Sequence, residues 1–172
     1  MRPTLLVLCV FAVFMSAAWR FRVKSAPSAP SPKTFQTTQD FIDFLSAEAV
    51  KDAETESHIR LDYTVDSIRK VEDILGSVHD QYVKNPSSIA VKGLASAYGA
   101  YIGEVIRKTE PNVRWEKSDA VGGDKSYPLI WGAGTSYPMA WCYHRIVNGG
   151  EDNVWIKYRV LKEQGSQPQP KP

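Results

Sequence analysis

The sequence predicts an α+β domain, with helices in its first half packed on a small antiparallel sheet in its second. Two observations predict it. Apolar residues recur in steps of three and four from Val65 to Tyr82 and again from Leu94 to Ile106, the period of a one-sided helix. After Pro111 the pattern changes to Val113-Arg114-Trp115-Glu116, apolar and charged in alternation, the period of a half-buried strand. Helices followed by short strands within one domain length is the α+β pattern.

The chain of 172 residues opens on a segment of a different kind. Thr4 to Trp19 carries no charge and follows Met1-Arg2. A charged start, an apolar middle and the small residues Ser16-Ala17-Ala18 are the three regions of a secretory signal. The run is shorter than the roughly 20 residues that span a bilayer, which favours a signal peptide. Arg20, Arg22 and Lys24 follow at once; such residues hinder export and tend to stay in the cytoplasm. Residues 1–24 are therefore read as a signal peptide or a membrane anchor. Export to the periplasm or cell exterior, or anchoring in the inner membrane, is the leading expectation, and an inward-facing, membrane-tethered regulator is the alternative. Residues 25–33, SAPSAPSPK, have the composition of an extended linker. Residues 34–164 are the globular part, and 165–172, GSQPQPKP, a disordered tail by composition.

Charge narrows the partners. The formal charge is +2, but Arg2, Arg20, Arg22 and Lys24 account for four of the 21 basic residues. From Ser25 onward 17 basic face 19 acidic residues, a net of −2. No concentrated basic face argues for nucleic acid. Cys9 lies in the leader; Cys142 is then a lone thiol, without an internal disulfide partner. His58, His79 and His144 are too scattered for a zinc site, and nothing points to a cofactor.

The elements follow in order. Thr37 with Asp40 three residues later is a capping-box start, and Phe41, Phe44 and Leu45 give the first helix an apolar stripe. A second helix begins near Thr64, carries Val65, Ile68, Val71, Leu75, Val78 and Tyr82 on one face, and ends at Asn85-Pro86. A third starts at Ser87 or Ser88 and runs to about Lys108. Its Gly99 and Gly103 each cost about 1 kcal/mol against Ala, so something must approach closely there. Val113–Glu116 is a strand, Gly122-Gly123-Asp124 a turn, and Tyr127–Trp131 a returning strand. Pro128 cannot donate to a ladder, which places that strand at an edge or turns the proline's missing N–H to solvent. Gly132-Ala133-Gly134 is a second turn. Met139–Val147 fits helix or strand. Glu151-Asp152 can open a last helix; Val154, Tyr158 and Leu161 fit helical spacing, while Val154, Ile156, Tyr158 and Val160 fit a strand equally well.

Taken along the chain, Gly93, Gly99-Ala-Tyr-Ile-Gly-Glu-Val-Ile-Arg107, Trp115, Tyr137-Pro138 and His144-Arg145-x2-Asn148-Gly149-x-Glu151-Asp152 form a series. It resembles a bacterial family of small uncharacterised domains, a domain of unknown function, with a GxYxGEV helix, a Trp strand and a Pro…Arg…Asn-Gly-x-Glu-Asp ending. His144 stands where a basic residue is usual, and Gly150 is extra. The resemblance covers about Leu61 to Leu161. It implies a bacterial origin and a shared fold, and carries no activity.

Candidate chemistry is sparse. Glu104, beside Gly103 on an apolar helix, is either a buried carboxylate aimed at a ligand or at Arg145, or an exposed one paired with Lys108. Cys142 and His144, two apart, share a face only on a strand. Glu104 with His144 or Cys142 would be the machinery of a small hydrolase or transferase. Trp115, Trp131, Tyr137, Trp141, Tyr143 and Trp155 make the second half aromatic, which suits a platform for a glycan or peptide as well as a core. Trp131, Tyr137, Trp141 and Arg145 are the candidate ligand-binding residues. The leading expectation is a non-enzymatic binding module of the cell envelope, its partner an unnamed protein or envelope component, in contact with the membrane through residues 1–24 if these are uncleaved.

Overall fold

A computed structural model describes residues 35–117, 126–132 and 134–165. The leader, the linker, the Gly122-Gly123-Asp124 turn and residues 166–172 lie outside them. Among the described residues the order is α1 (Thr38–Glu56), α2 (Val65–Lys84), a 3-10 turn (Pro86–Ser88), α3 (Val91–Thr109), β1 (Arg114–Trp115), β2 (Leu129–Trp131), β3 (Gly134–Ser136), α4 (Pro138–Asn148), a second 3-10 turn (Gly150–Asp152) and α5 (Val154–Gly165). The α+β class holds, with helices dominant. No helix among the described residues is long and apolar enough to cross a membrane.

Helix α1 opens on the expected capping box. Thr37 Oγ1 accepts from the Asp40 N–H at 3.0 Å, and Asp40 Oδ2 accepts from the Thr37 N–H at 2.9 Å. Its fully buried stripe is Ile42, Ser46, Ala49 and Ala53; of the expected Phe41, Phe44 and Leu45, Phe41 and Leu45 are half-buried and pack against the same core. The phenylalanines also group with their neighbours: Phe35 packs on Phe41 and Phe44, and Phe41 on Tyr127. The small residues let α1 lie close along α3.

Helix α2 runs from its N-cap Thr64 to its C-cap Asn85, as its period requires, with Ile68, Val71 and Leu75 fully buried. Helix α3 starts at Val91, later than Ser87 or Ser88. Those serines belong to the 3-10 turn, where Ser87 Oγ donates to Asn85 Oδ1 and Ser88 Oγ to the Asn85 carbonyl. Such local bonds offer the backbone an alternative to helix. From Ala97 to Ile106 every residue of α3 is buried, the signature of a helix covered on all sides. Helices α1 and α4 flank it, and α2 packs chiefly against α4.

The two interior glycines of α3 are where neighbours come closest. A methyl on Gly99 would overlap the Met139 backbone at the start of α4 and sit 2.8 Å from the Pro138 carbonyl carbon; one on Gly103 would run into the Trp115 ring. The close approach expected of Gly99 and Gly103 is therefore present, to a helix at one and to the sheet at the other.

The sheet has three strands in the order β1-β2-β3, all antiparallel. Trp115 faces Leu129, and Leu129 faces Ser136. The edge position expected for the Pro128 strand is not found: β2 is central. Pro128 sits just before the ladder and contributes only its carbonyl, which accepts from the Glu116 N–H at 3.0 Å. β3 follows β2 through a tight turn with Gly132 at φ +58°; Gly134, expected within the turn, is already paired with Trp131. Met139–Val147 is helical, with Pro138 in the first turn where its missing N–H has no intrahelical partner to lose. Val154 onward is also helical. Glu151-Asp152 do not open α5; they form the 3-10 turn before it, after Gly149 at φ +95°.

Candidate functional site

Glu104 is 1% exposed, and its carboxylate is surrounded. Oε1 accepts from Trp115 Nε1 at 2.8 Å, Arg107 Nε at 2.9 Å and Gln39 Nε2 at 3.1 Å; Oε2 accepts from Arg107 Nη2 at 2.7 Å. Burial alone would raise its pKa, but the bonds from Arg107, Gln39 and Trp115 outweigh burial and hold it below the usual carboxylate range. Neither expected partner is the one found. Arg107, one turn on, takes the pairing; Lys108 instead places its ammonium 3.4 Å from the Tyr63 ring centroid. Glu104 thus ties α3 to β1 and to the first turn of α1.

Arg145, the other expected partner, belongs to a second buried ion pair. It is 8% exposed, and its Nε donates to Glu72 Oε1 at 2.5 Å. Glu72 Oε2 accepts from the Val154 N–H at 2.8 Å, capping the start of α5. Arg145 Nη1 is buried and meets no hydrogen-bond acceptor among the described residues. Arg145 Nη2 lies against Gly76, where a methyl would sit 2.9 Å from it. The pair binds α2, α4 and α5 together.

Cys142 and His144 diverge around α4: Cys142 is fully buried and His144 exposed. Burial, followed by the charge of Glu72, pushes the Cys142 thiol well above its usual value, away from the thiolate a nucleophile needs. Neither side chain is among the partners of Glu104. The structure does not bring these three residues together. Trp131, 8% exposed, stacks on Tyr158 at 6.5 Å between centroids. Tyr137 and Trp141 are half-buried, and the Tyr137 carbonyl accepts from the Trp141 N–H within the first turn of α4. Among the described residues no group of three or more His, Cys, Asp or Glu side chains is arranged to hold a metal ion.

The described residues also form a shallow, open groove between α2 and the start of α5, about 270 Å³ in volume and lined by Arg69, Glu72, Asp73, Asn153 and Trp155. Each lining group has an origin in the local fold. Asn153 is the cap of α5, its Oδ1 accepting from the Ile156 N–H at 2.9 Å; its Nδ2 has no partner among the described residues. The Arg69 guanidinium lies 4.2 Å from the Trp155 ring centroid. Arg69 and Asp73 are one helical turn apart, the spacing at which opposite charges usually pair, yet no ion pair joins them among the described residues. The guanidinium is drawn to the indole instead, a contact worth about 0.5–1 kcal/mol at an exposed site. The Asp73 carboxylate is left exposed, without a hydrogen bond among the described residues. Glu72 supplies the groove's inner wall, with both oxygens taken up by Arg145 and Val154.

Sequence reasoning named Trp155 among the aromatics but not Arg69, Glu72, Asp73 or Asn153. The three from α2 lie off its apolar stripe, where charged residues are ordinary, so only the arrival of α5 makes them a site.

No protein-family model, no curated protein and no solved structure matches this chain. The functional reading rests on its own residues.

Proposed function

We propose that this chain is a non-enzymatic binding module of a bacterial cell envelope, delivered or anchored by residues 1–24, held off the membrane by residues 25–33, and taking its ligand in the groove between α2 and α5. The observation that carries the reading is that Arg69 and Asp73, beside Trp155, are not paired with one another among the described residues. A donor and an acceptor left free of one another, the donor held on an indole, are what a small ligand uses for orientation. The polar groups that sequence suggested for catalysis support the same reading by their occupation: Glu104 is saturated by its neighbours and Cys142 is enclosed. The envelope location follows from the uncharged run Thr4–Trp19 and the Pro/Ser/Ala linker after it.

Two measurements test this. A photo-cross-linking residue at position 66 of the full chain, an exposed position one turn before Arg69 and outside the groove lining, should capture a component of the envelope fraction in bacteria, and Trp155→Ala should abolish the capture. The same probe at Lys84, at the far end of α2, should not capture it. A C-terminal reporter active only outside the cytoplasm should be active. Equal capture from positions 66 and 84 removes the groove from the reading; a silent outside reporter with an active inside one replaces envelope export by the inward-facing arrangement.

A further inference from the structure

With the groove taken as the binding site, as proposed above, its chemistry selects a class of ligand. We infer that this ligand is a neutral saccharide, one sugar ring lying against the Trp155 edge of the groove. Three features select this class.

The first is charge. Arg69 and Asp73 cancel, and Glu72 is neutralised by Arg145 at 2.5 Å. An anionic ligand reaching Arg69 meets Asp73 one turn away, and a cationic ligand reaching Asp73 meets Arg69. A neutral molecule meets no such penalty. The second is hydrogen-bonding type. Arg69 and Asn153 Nδ2 offer only donors, and the ionised Asp73 only acceptors. Adjacent hydroxyls satisfy both, because each hydroxyl donates and accepts. The third is shape. About 270 Å³ of open groove falls just under the range of drug-sized sites, suited to one or two rings, and the part of the half-buried Trp155 indole that the Arg69 guanidinium leaves uncovered is the apolar surface beside it. Extended peptides are held differently, by a free sheet edge or by successive side-chain pockets. This groove is built from a helix face and a helix start, with no strand in its lining.

The test is calorimetric titration of the full-length chain, in a detergent without sugar headgroups. The probes are short glucose and N-acetylglucosamine oligomers, a uronate oligomer and an alanine–glycine oligopeptide. At least one neutral oligomer should bind with Kd on the order of 1 mM, as one shallow groove allows, and the uronate and the peptide should not. Asp73→Asn should weaken binding about tenfold through loss of a charge-assisted hydrogen bond. Because Asp73 is exposed and its carboxylate has no hydrogen bond among the described residues, this variant keeps the fold. Arg69→Lys, which keeps the charge and loses the planar fork, should weaken it similarly. Trp155→Ala should remove it.

Binding of the peptide but not the sugars, sensitive to Asp73→Asn, overturns the saccharide class and leaves the groove standing. No binding of any neutral oligomer, with position-66 cross-linking intact, does the same. Sugar binding indifferent to Asp73→Asn, Arg69→Lys and Trp155→Ala overturns the groove as the site.

Discussion

Three alanine substitutions along one helix should have three different outcomes. Gly93, Gly99 and Gly103 all lie in α3. By helix propensity alone, each change to alanine stabilises by about 1 kcal/mol. At Gly93 a new methyl meets nothing within 4 Å, so Gly93→Ala should gain about 0.5–1 kcal/mol. At Gly103 the methyl runs into the Trp115 ring. That ring cannot simply swing away, because its Nε1 donates to Glu104 at 2.8 Å. Overpacking costs about 1–3 kcal/mol and loosening a hydrogen bond to a charged group about 1.5–3 kcal/mol. Taken near the low ends, because the ring has only to shift and the hydrogen bond only to lengthen, these costs leave Gly103→Ala a net loss of about 2 kcal/mol against the helical gain. At Gly99 the obstacle is the backbone at Met139 and Pro138, which moves only if α4 moves. Gly99→Ala should therefore be the most damaging, by about 3 kcal/mol. Urea unfolding followed by tryptophan fluorescence measures all three. At a slope of about 2 kcal/mol per M, the Gly103 and Gly99 midpoints should fall by about 1 and 1.5 M while that of Gly93→Ala rises. If Gly99→Ala and Gly103→Ala prove as stable as Gly93→Ala, the helix is not notched to admit its neighbours and the packing account of α3 is wrong.

Further outcomes concern buried charge. Because Glu104 has a folded pKa below its unfolded value, its stabilisation is complete above about pH 4.3 and fades as pH falls through the folded value. The stability difference between the wild type and Glu104→Gln, about 2 kcal/mol at neutral pH, should shrink in urea titrations run toward pH 3. Asp52 runs the other way: burial raises its pKa, the Tyr98 hydrogen bond opposes this in part, and Glu56 and Glu48 add to the rise. Its ionisation costs stability, so the wild type should gain on Asp52→Asn as pH drops through the raised value. Glu72→Ala leaves Arg145 buried without its partner and α5 without its cap. It should cost about 3–5 kcal/mol and expose the Arg159 and Lys162 bonds to trypsin, whereas Asp73→Asn on the same turn should do neither. Cys142 should resist maleimide labelling in the native protein and react fully in urea, with peptide mass mapping separating it from Cys9.

The parts of the fold legible in the sequence are those written in local chemistry. The α1 start needed only Thr37 and Asp40, and the span of α2 needed only its period and Asn85-Pro86. The close approaches at Gly99 and Gly103 were legible as a local cost with no local benefit, though not the identity of Met139 and Trp115 as the neighbours. What was illegible depends on distant partners. The buried stripe of α1 is mostly small residues, because α3 admits little else there, while Phe41 and Leu45 cover the margin of the same core. β3 was missed because three residues, Gly134 to Ser136, carry too little pattern to read. β2 is central because β3 exists, so the edge, one of the two placements inferred from Pro128, is not the one found. Glu104 could be picked out as anomalous, but choosing Arg107 over Arg145 or Lys108 requires knowing that Arg145 is held by Glu72.

The series Gly99, Tyr101, Gly103, Glu104 and Trp115 can be taken as a binding motif or as a packing motif, and the contacts favour packing. Gly99 admits the start of α4 and Gly103 the Trp115 ring. Glu104 fixes that ring by its nitrogen, and the Tyr101 hydroxyl accepts from the Tyr63 N–H at 2.8 Å and bonds Ser67 Oγ at 2.6 Å. The side-chain polar groups of this series are directed at other elements of the same chain. A carboxylate whose solvent has been replaced by fixed donors has little left to offer a ligand, and removing it would leave those donors stranded. The groove at Trp155 has the opposite character. Arg69, Asp73 and the Asn153 amide keep hydrogen-bonding capacity that the described fold does not use. On the proposed reading, recognition uses polar groups that the fold leaves over, and the ion pair of Glu72 with Arg145 joins the helices that carry them.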